Sequence, residues 1–197
     1  MAKLVFGIAG LSGSGKSNLI DCFSKKFGGD LKVVKLEDLM SELFKFGGEG
    51  HRQISNYFGG DFLRKSGELN VNKLWKFVYS DHHKLRILDF LLEPLMLNLV
   101  QQLVDSFPGM LIIENINFKI DGWKKILTKV ILVVNTDEKK LVNLSSKVSL
   151  PVSPEKYMDV QSRLYSNTES TEYYLFNNLD PGQLENSFIE LCSALSI

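Results

Sequence analysis

Residues 10–17 read G-L-S-G-S-G-K-S and meet every fixed position of the phosphate-binding pattern G-x-x-x-x-G-K-[ST]. Gly10, Gly13 and Gly15 let the backbone approach a ligand closely and adopt dihedrals that turn successive N–H groups inward. Lys16 carries the charge that would bridge the outer phosphates of a nucleoside triphosphate, and the Ser17 hydroxyl would ligate Mg²⁺. Ser12, Ser14 and Asn18 complete the residues expected around the phosphates. A glycine-rich turn could match by chance, but an apolar run precedes this one and a helical pattern follows it. The positive end of that helix adds to the attraction for an anion. ATP and Mg²⁺ are therefore the expected ligands.

Phosphoryl transfer asks for acids and further cations around such a loop. Glu114 ends an aliphatic run, at the sheet edge where ligands of open α/β sheets collect, and is a candidate for holding magnesium or positioning an acceptor. Glu37 and Asp38 follow the second apolar run at the same edge. One of them, with Asp38 preferred, could take the proton of an attacking hydroxyl, although acids at a helix start are also favoured by the dipole alone. Charge on the migrating group usually comes from arginine on a mobile segment. Residues 137–153 offer Lys139, Lys140 and Lys147 but no arginine, and Arg163 lies just beyond. Arg52, Arg64 and Arg86 are further candidates for substrate phosphates. His82 and His83 are adjacent, which on a helix points them in different directions and reads as surface rather than metal site. Tyr57, Phe58, Phe62, Trp75, Phe77 and Tyr79 could stack a base or line an acceptor pocket, with core packing the commoner use.

These residues must be held by elements that the hydrophobic pattern marks out. Strands are expected at 4–9, 31–36, 110–114, 129–134 and 173–176, each aliphatic enough to be covered on both faces. Helices are expected at 17–27, 37–46, 74–79, 84–104, 137–144, 155–164 and 183–195, with shorter turns near 54–58 and 62–65. In the first, Leu19, Ile20, Phe23 and Phe27 share a face; in the second, Leu39, Leu43 and Phe46 turn inward. Pro94 should kink or divide the long helix. Strands alternating with helices give an α/β fold, a three-layer doubly wound parallel sheet of about five strands. The stretch 47–104 exceeds a simple crossover and reads as a helical insertion over the site.

The 197 residues suit one domain with a substantial core, and a formal net charge of zero argues against general attraction to nucleic acid or anionic membrane. Cys22 and Cys192 are far apart in the chain and read as reduced thiols of a cytoplasmic protein. The most apolar stretch, 87–100, carries Asp89, Glu93 and Pro94, too short and polar to span a bilayer. No oligomeric state is indicated.

In this order the pieces resemble the dephospho-coenzyme A kinase family, a family of P-loop kinases, over nearly the whole chain. The resemblance rests on the loop, then on Tyr57-Phe58-Gly59, Ser66-Gly67-Glu68-Leu69-Asn70, Leu74 and Val78-Tyr79-Ser80-Asp81. It continues through Ile112-Ile113-Glu114, Asp121-Gly122-Trp123 and the closing Leu175-Phe176-Asn177-Asn178. It implies transfer of the ATP γ-phosphoryl group to the ribose 3′-hydroxyl of dephospho-coenzyme A. It also implies a single P-loop kinase domain with a core (1–46, 105–136, 166–197), an acceptor insertion (47–104) and a lid (137–165). The chain departs from the family at several positions. Lys35 and Glu37 stand where two aspartates are usual, and Val71 where an arginine follows the "l-n" pair. Glu93-Pro94 replaces His-Pro, and Asn143 and Lys147 replace lid arginines. Two alternatives follow from these departures: a nucleoside monophosphate kinase-like enzyme, or a catalytically degenerate nucleotide-binding module.

Overall fold

The computed structural model describes residues 4–115, 118, 121–135, 152–165, 172–177 and 181–197. Five strands form one sheet: β1 (Val5–Ala9), β2 (Leu31–Lys35), β3 (Met110–Glu114), β4 (Lys129–Val134) and β5 (Tyr173–Phe176), in spatial order β2-β3-β1-β4-β5. Every neighbouring pair is parallel. With β1 central, all five residues of VFGIA are buried, as a strand covered on both faces requires.

Alternation along the strands sends side chains into two separate cores. Val5, Ala9, Leu111, Ile113, Val130 and Leu132 face one side; Phe6, Ile8, Met110, Ile112, Ile131 and Val133 face the other. The second side is closed by α1 (Lys16–Phe27) and the final helix α8 (Pro181–Leu195), with Phe23 meeting Phe188 edge-on at 4.9 Å. The first is closed by α2 (Leu36–Leu43), α3 (Glu49–Phe58), α4 (Val71–Val78), α5 (His82–Ser106) and α6 (Asp121–Ile126). The helix α7 (Pro154–Tyr165) places Val160 and Tyr157 against the same core. Helices on both faces of a parallel sheet make the doubly wound α/β fold expected from the sequence.

Several boundaries differ from the sequence reading. α2 stops at Leu43, so Phe46 leaves the helical repeat and lies 67% exposed, its ring edge-on to His51 rather than turned inward. Residues 62–65 form no helix beyond a single 3₁₀ turn, Gly60–Phe62; a small hairpin follows, closed by the Leu63–Leu69 bridge. α3 and α4 begin earlier than expected, and α6 was not anticipated. Asn70 caps α4 by accepting the Lys73 N–H, and Asp81 caps α5 by accepting that of His83. α5 runs unbroken for 25 residues through Pro94. It is therefore long and apolar enough to cross a membrane, contrary to the shorter stretch read from sequence. Leu85, Leu88, Leu92, Met96 and Val100 instead bury themselves in the first core. The helix expected at 137–144 lies outside the described residues.

Candidate active site

Between β1 and α1 the chain turns through three glycines with positive φ: Gly10 at 152°, Gly13 at 82° and Gly15 at 98°. Gly15 is the residue before the first turn of α1, so the helix N-terminus opens directly on the loop. Any side chain at Gly15 would collide with Asn177, whose Nδ2 is 1.7 Å from the position a Cβ would take. The Ser14 N–H is satisfied inside the loop by the Leu11 carbonyl at 3.1 Å. Its hydroxyl, on a residue only 2% exposed, has no hydrogen-bond partner among the described residues. A buried orphan hydroxyl within a glycine cradle fits a phosphate oxygen.

Lys16 folds back over the loop and donates to the Gly10 carbonyl at 2.9 Å and the Leu11 carbonyl at 3.2 Å. Burial pulls its pKa below the usual lysine range; the carboxylates of Glu114 and Glu37 oppose that, and the Lys35 ammonium adds to it. Four charged residues thus meet at the C-terminal edge of the sheet. Lys35 and Glu114 end adjacent strands, pair in register, and approach to 4.0 Å. The Glu114 Oε2 is buried and accepts no hydrogen bond among the described residues, which fits a carboxylate awaiting a cation or its water. Ser17 lies exposed on the first turn of α1. Those two donors would hold magnesium.

Two residues support this arrangement from far along the chain. Asn177, just past β5 and 2% exposed, donates its amide to the Ser14 carbonyl at 3.1 Å and anchors its own N–H on Val134. In the sequence it stands only within the closing motif Leu175-Phe176-Asn177-Asn178. Tyr157 on α7 was not singled out at all. Its hydroxyl shares a hydrogen bond with Ser12 Oγ at 3.3 Å, and its ring stacks on Tyr79 at 5.2 Å. The loop, α7 and the end of α4 thereby touch in one chain of contacts. Asn18 and Asn177 also line a cavity of about 490 Å³ between α1 and α8. Lys16, Glu37 and Glu114 are not among its walls.

The remaining candidates differ in their placement. Glu37 and Asp38 are both exposed on the first turn of α2, and of the two it is Glu37 whose charge acts on Lys16. Arg52 is held at the surface by Glu49 and the Gly47 carbonyl. Arg64 sits in the small hairpin and Arg86 is exposed on α5. Phe58, Phe62 and Phe77 pack on one another, and Trp75 packs between Phe44 and Tyr79, which is core use; Tyr57 stays 56% exposed. His82 and His83 do not point apart: their ring centroids are 4.0 Å apart beside Asp81, because His82 opens the helix where the backbone is still turning in from the cap. Lys139, Lys140, Asn143 and Lys147 lie outside the described residues, as does the side chain of Arg163 on α7.

A parallel sheet of this order, with a glycine loop leading from its central strand into a helix, defines a P-loop nucleotide-binding protein of the kinase type. Among solved structures, the TT1252 protein of Thermus thermophilus superposes with a TM-score of 0.71 at 20% identity, over 99% of both chains. A dephospho-CoA kinase from Campylobacter jejuni superposes with a TM-score of 0.59 at 16% identity, over 98% of this chain and 96% of its own. These likenesses establish the fold. In sequence, a dephospho-CoA kinase of Nitrosomonas europaea is 26% identical over 133 residues, so that the match spans 66% of this chain and 64% of that protein. The family model for dephospho-CoA kinase matches residues 4–172, and the chain belongs to that family.

Proposed function

We propose that the protein transfers the γ-phosphoryl group of ATP to the ribose 3′-hydroxyl of dephospho-coenzyme A, giving coenzyme A and ADP. The observation that carries this reading is Lys16, seated on the loop carbonyls with the Glu114 and Glu37 carboxylates acting on it, in a chain of this family. On ATP binding, the loop N–H groups and Lys16 meet the phosphate oxygens, and Lys16 exchanges its two carbonyl partners for phosphate. Ser17 and Glu114 would hold Mg²⁺, which when bound neutralises charge on the terminal phosphates. Glu37 takes the proton of the attacking 3′-hydroxyl. The new P–O bond forms to that oxygen while the bond to the β–γ bridging oxygen breaks, and the bridging oxygen leaves with ADP. Residues 47–104 would present the acceptor and residues 137–165 would close over it. The substrates are small molecules of the cytoplasm, and no nucleic acid or membrane takes part.

The test is ADP release from ATP and Mg²⁺ with dephospho-coenzyme A, and separately with a panel of nucleoside monophosphates, with Lys16→Ala as control. Release dependent on dephospho-coenzyme A and abolished in the control is the expected result. Release only with a monophosphate moves the acceptor. ATP binding with no turnover on any acceptor makes the chain a nucleotide-binding module.

A further inference from the structure

Lys35 changes the charge of the site. It is the last residue of β2, directly beside Glu114 in the parallel ladder, so both side chains emerge at the edge where the loop lies. Its side chain is 52% exposed, against 14% for Glu114, so the ammonium is the more accessible of the two groups. At 4.0 Å the ion pair is longer than a hydrogen bond, and an ammonium has three donors to place. Lys16 lies on the loop at the same edge of the sheet, so a ligand carrying more than one negative charge has two ammonium groups to meet there.

We propose that Lys35 is a catalytic residue of this protein, its ammonium contacting a non-bridging oxygen of the phosphoryl group in transit. This rests on the phosphotransferase reading above but not on the identity of the acceptor. Lys35 would supply to the migrating group a positive charge that no arginine in the sequence stretch 137–153 can provide. Its backbone is held at a strand end by the ladder with the third strand, which keeps the base of that side chain at the site edge.

The test uses a planar mimic of the phosphoryl group and needs no acceptor. Affinity for Mg·ADP is measured by titration calorimetry with and without aluminium fluoride, on the wild-type chain, Lys35→Met and Lys35→Arg. Aluminium fluoride should tighten Mg·ADP binding to the wild type. Lys35→Met should lose most of that gain, about 100-fold, as removal of one transition-state donor does elsewhere, while binding Mg·ADP alone within about twofold by the same argument that this contact is to the transferred group. Lys35→Arg should keep the gain. Equal gains in wild type and Lys35→Met, or no gain in the wild type, would overturn the assignment. So would a parallel loss of plain Mg·ADP affinity, which would make Lys35 only a partner for Glu114. A wild type that traps the mimic yet ignores dephospho-coenzyme A would refute the acceptor and leave Lys35 standing.

Discussion

Glu37 and Asp38 are consecutive on the first turn of α2, so their side chains leave the helix about 100° apart and cannot both face Lys16. With Glu37 as the proposed base, Glu37→Gln should lower kcat by about 100-fold with little change in the KM for ATP, the effect of losing a general base. Asp38→Asn should stay within a few-fold, roughly the scale of a lost dipole contact. Steady-state ADP release with varied ATP checks both, and a kcat loss confined to Asp38→Asn would move the base by one residue. The sequence reading prefers Asp38 of the two; both are exposed on the first turn of α2, which begins one residue earlier than its pattern indicates. The loop that carries Lys16 and Ser17 is legible in the sequence because it is local, eight residues between a strand and a helix. The cation at Lys35 was visible only as a departure from a family pattern; that it faces Glu114 is a fact of strand register.

At the scale of elements, the loop is held by a strand it never meets in sequence. Asn177 follows β5, 163 residues from Ser14, and fills the space a side chain at Gly15 would need. Gly15→Ala therefore meets two obstacles, a φ of 98° and the Asn177 amide. Asn177→Ala leaves the Ser14 carbonyl without that donor, at a cost of about 1–3 kcal/mol. The two changes should couple: Gly15→Ala costs less in the Asn177→Ala background, because only the collision is relieved. Denaturant melts of the four variants measure this, and strictly additive losses would show that Asn177 does not brace the loop. Such a contact is closed to sequence reading, whereas the strands it joins were plain from their aliphatic runs. α6 was missed for a local reason: its six residues, DGWKKI, include a glycine and are too few to show a repeat. Asn70 and Asp81, two residues that carried the family resemblance, are helix caps.

For the whole molecule the consequential group is Glu93, 8% exposed in the long helix, where the family has histidine. Burial pushes its pKa up to about 7; the Trp123 indole N–H, donated to Oε1, pulls the other way, and Asp89 adds to the rise. Trp123 is itself 1% exposed against Phe118, so the pair joins α5 to α6 inside the core that covers one face of the sheet. Because the folded pKa lies above the ordinary glutamate value of 4.5, the folded state holds the proton more tightly between these two pH values. Stability is then greatest below about pH 4.5 as far as this group is concerned, and falls as the pH rises through 7 and the buried carboxyl ionises. The loss should be about 1–3 kcal/mol. Urea unfolding at pH 5.5 and 8 should show the wild type losing that much relative to Glu93→Gln, which cannot ionise and keeps an oxygen for the indole. Trp123→Phe removes the one interaction that favours the charged form, so it should move the fall to higher pH. Parallel pH profiles for wild type and Glu93→Gln would mean that water reaches the carboxylate, and that the core between α5 and α6 is looser than its packing indicates.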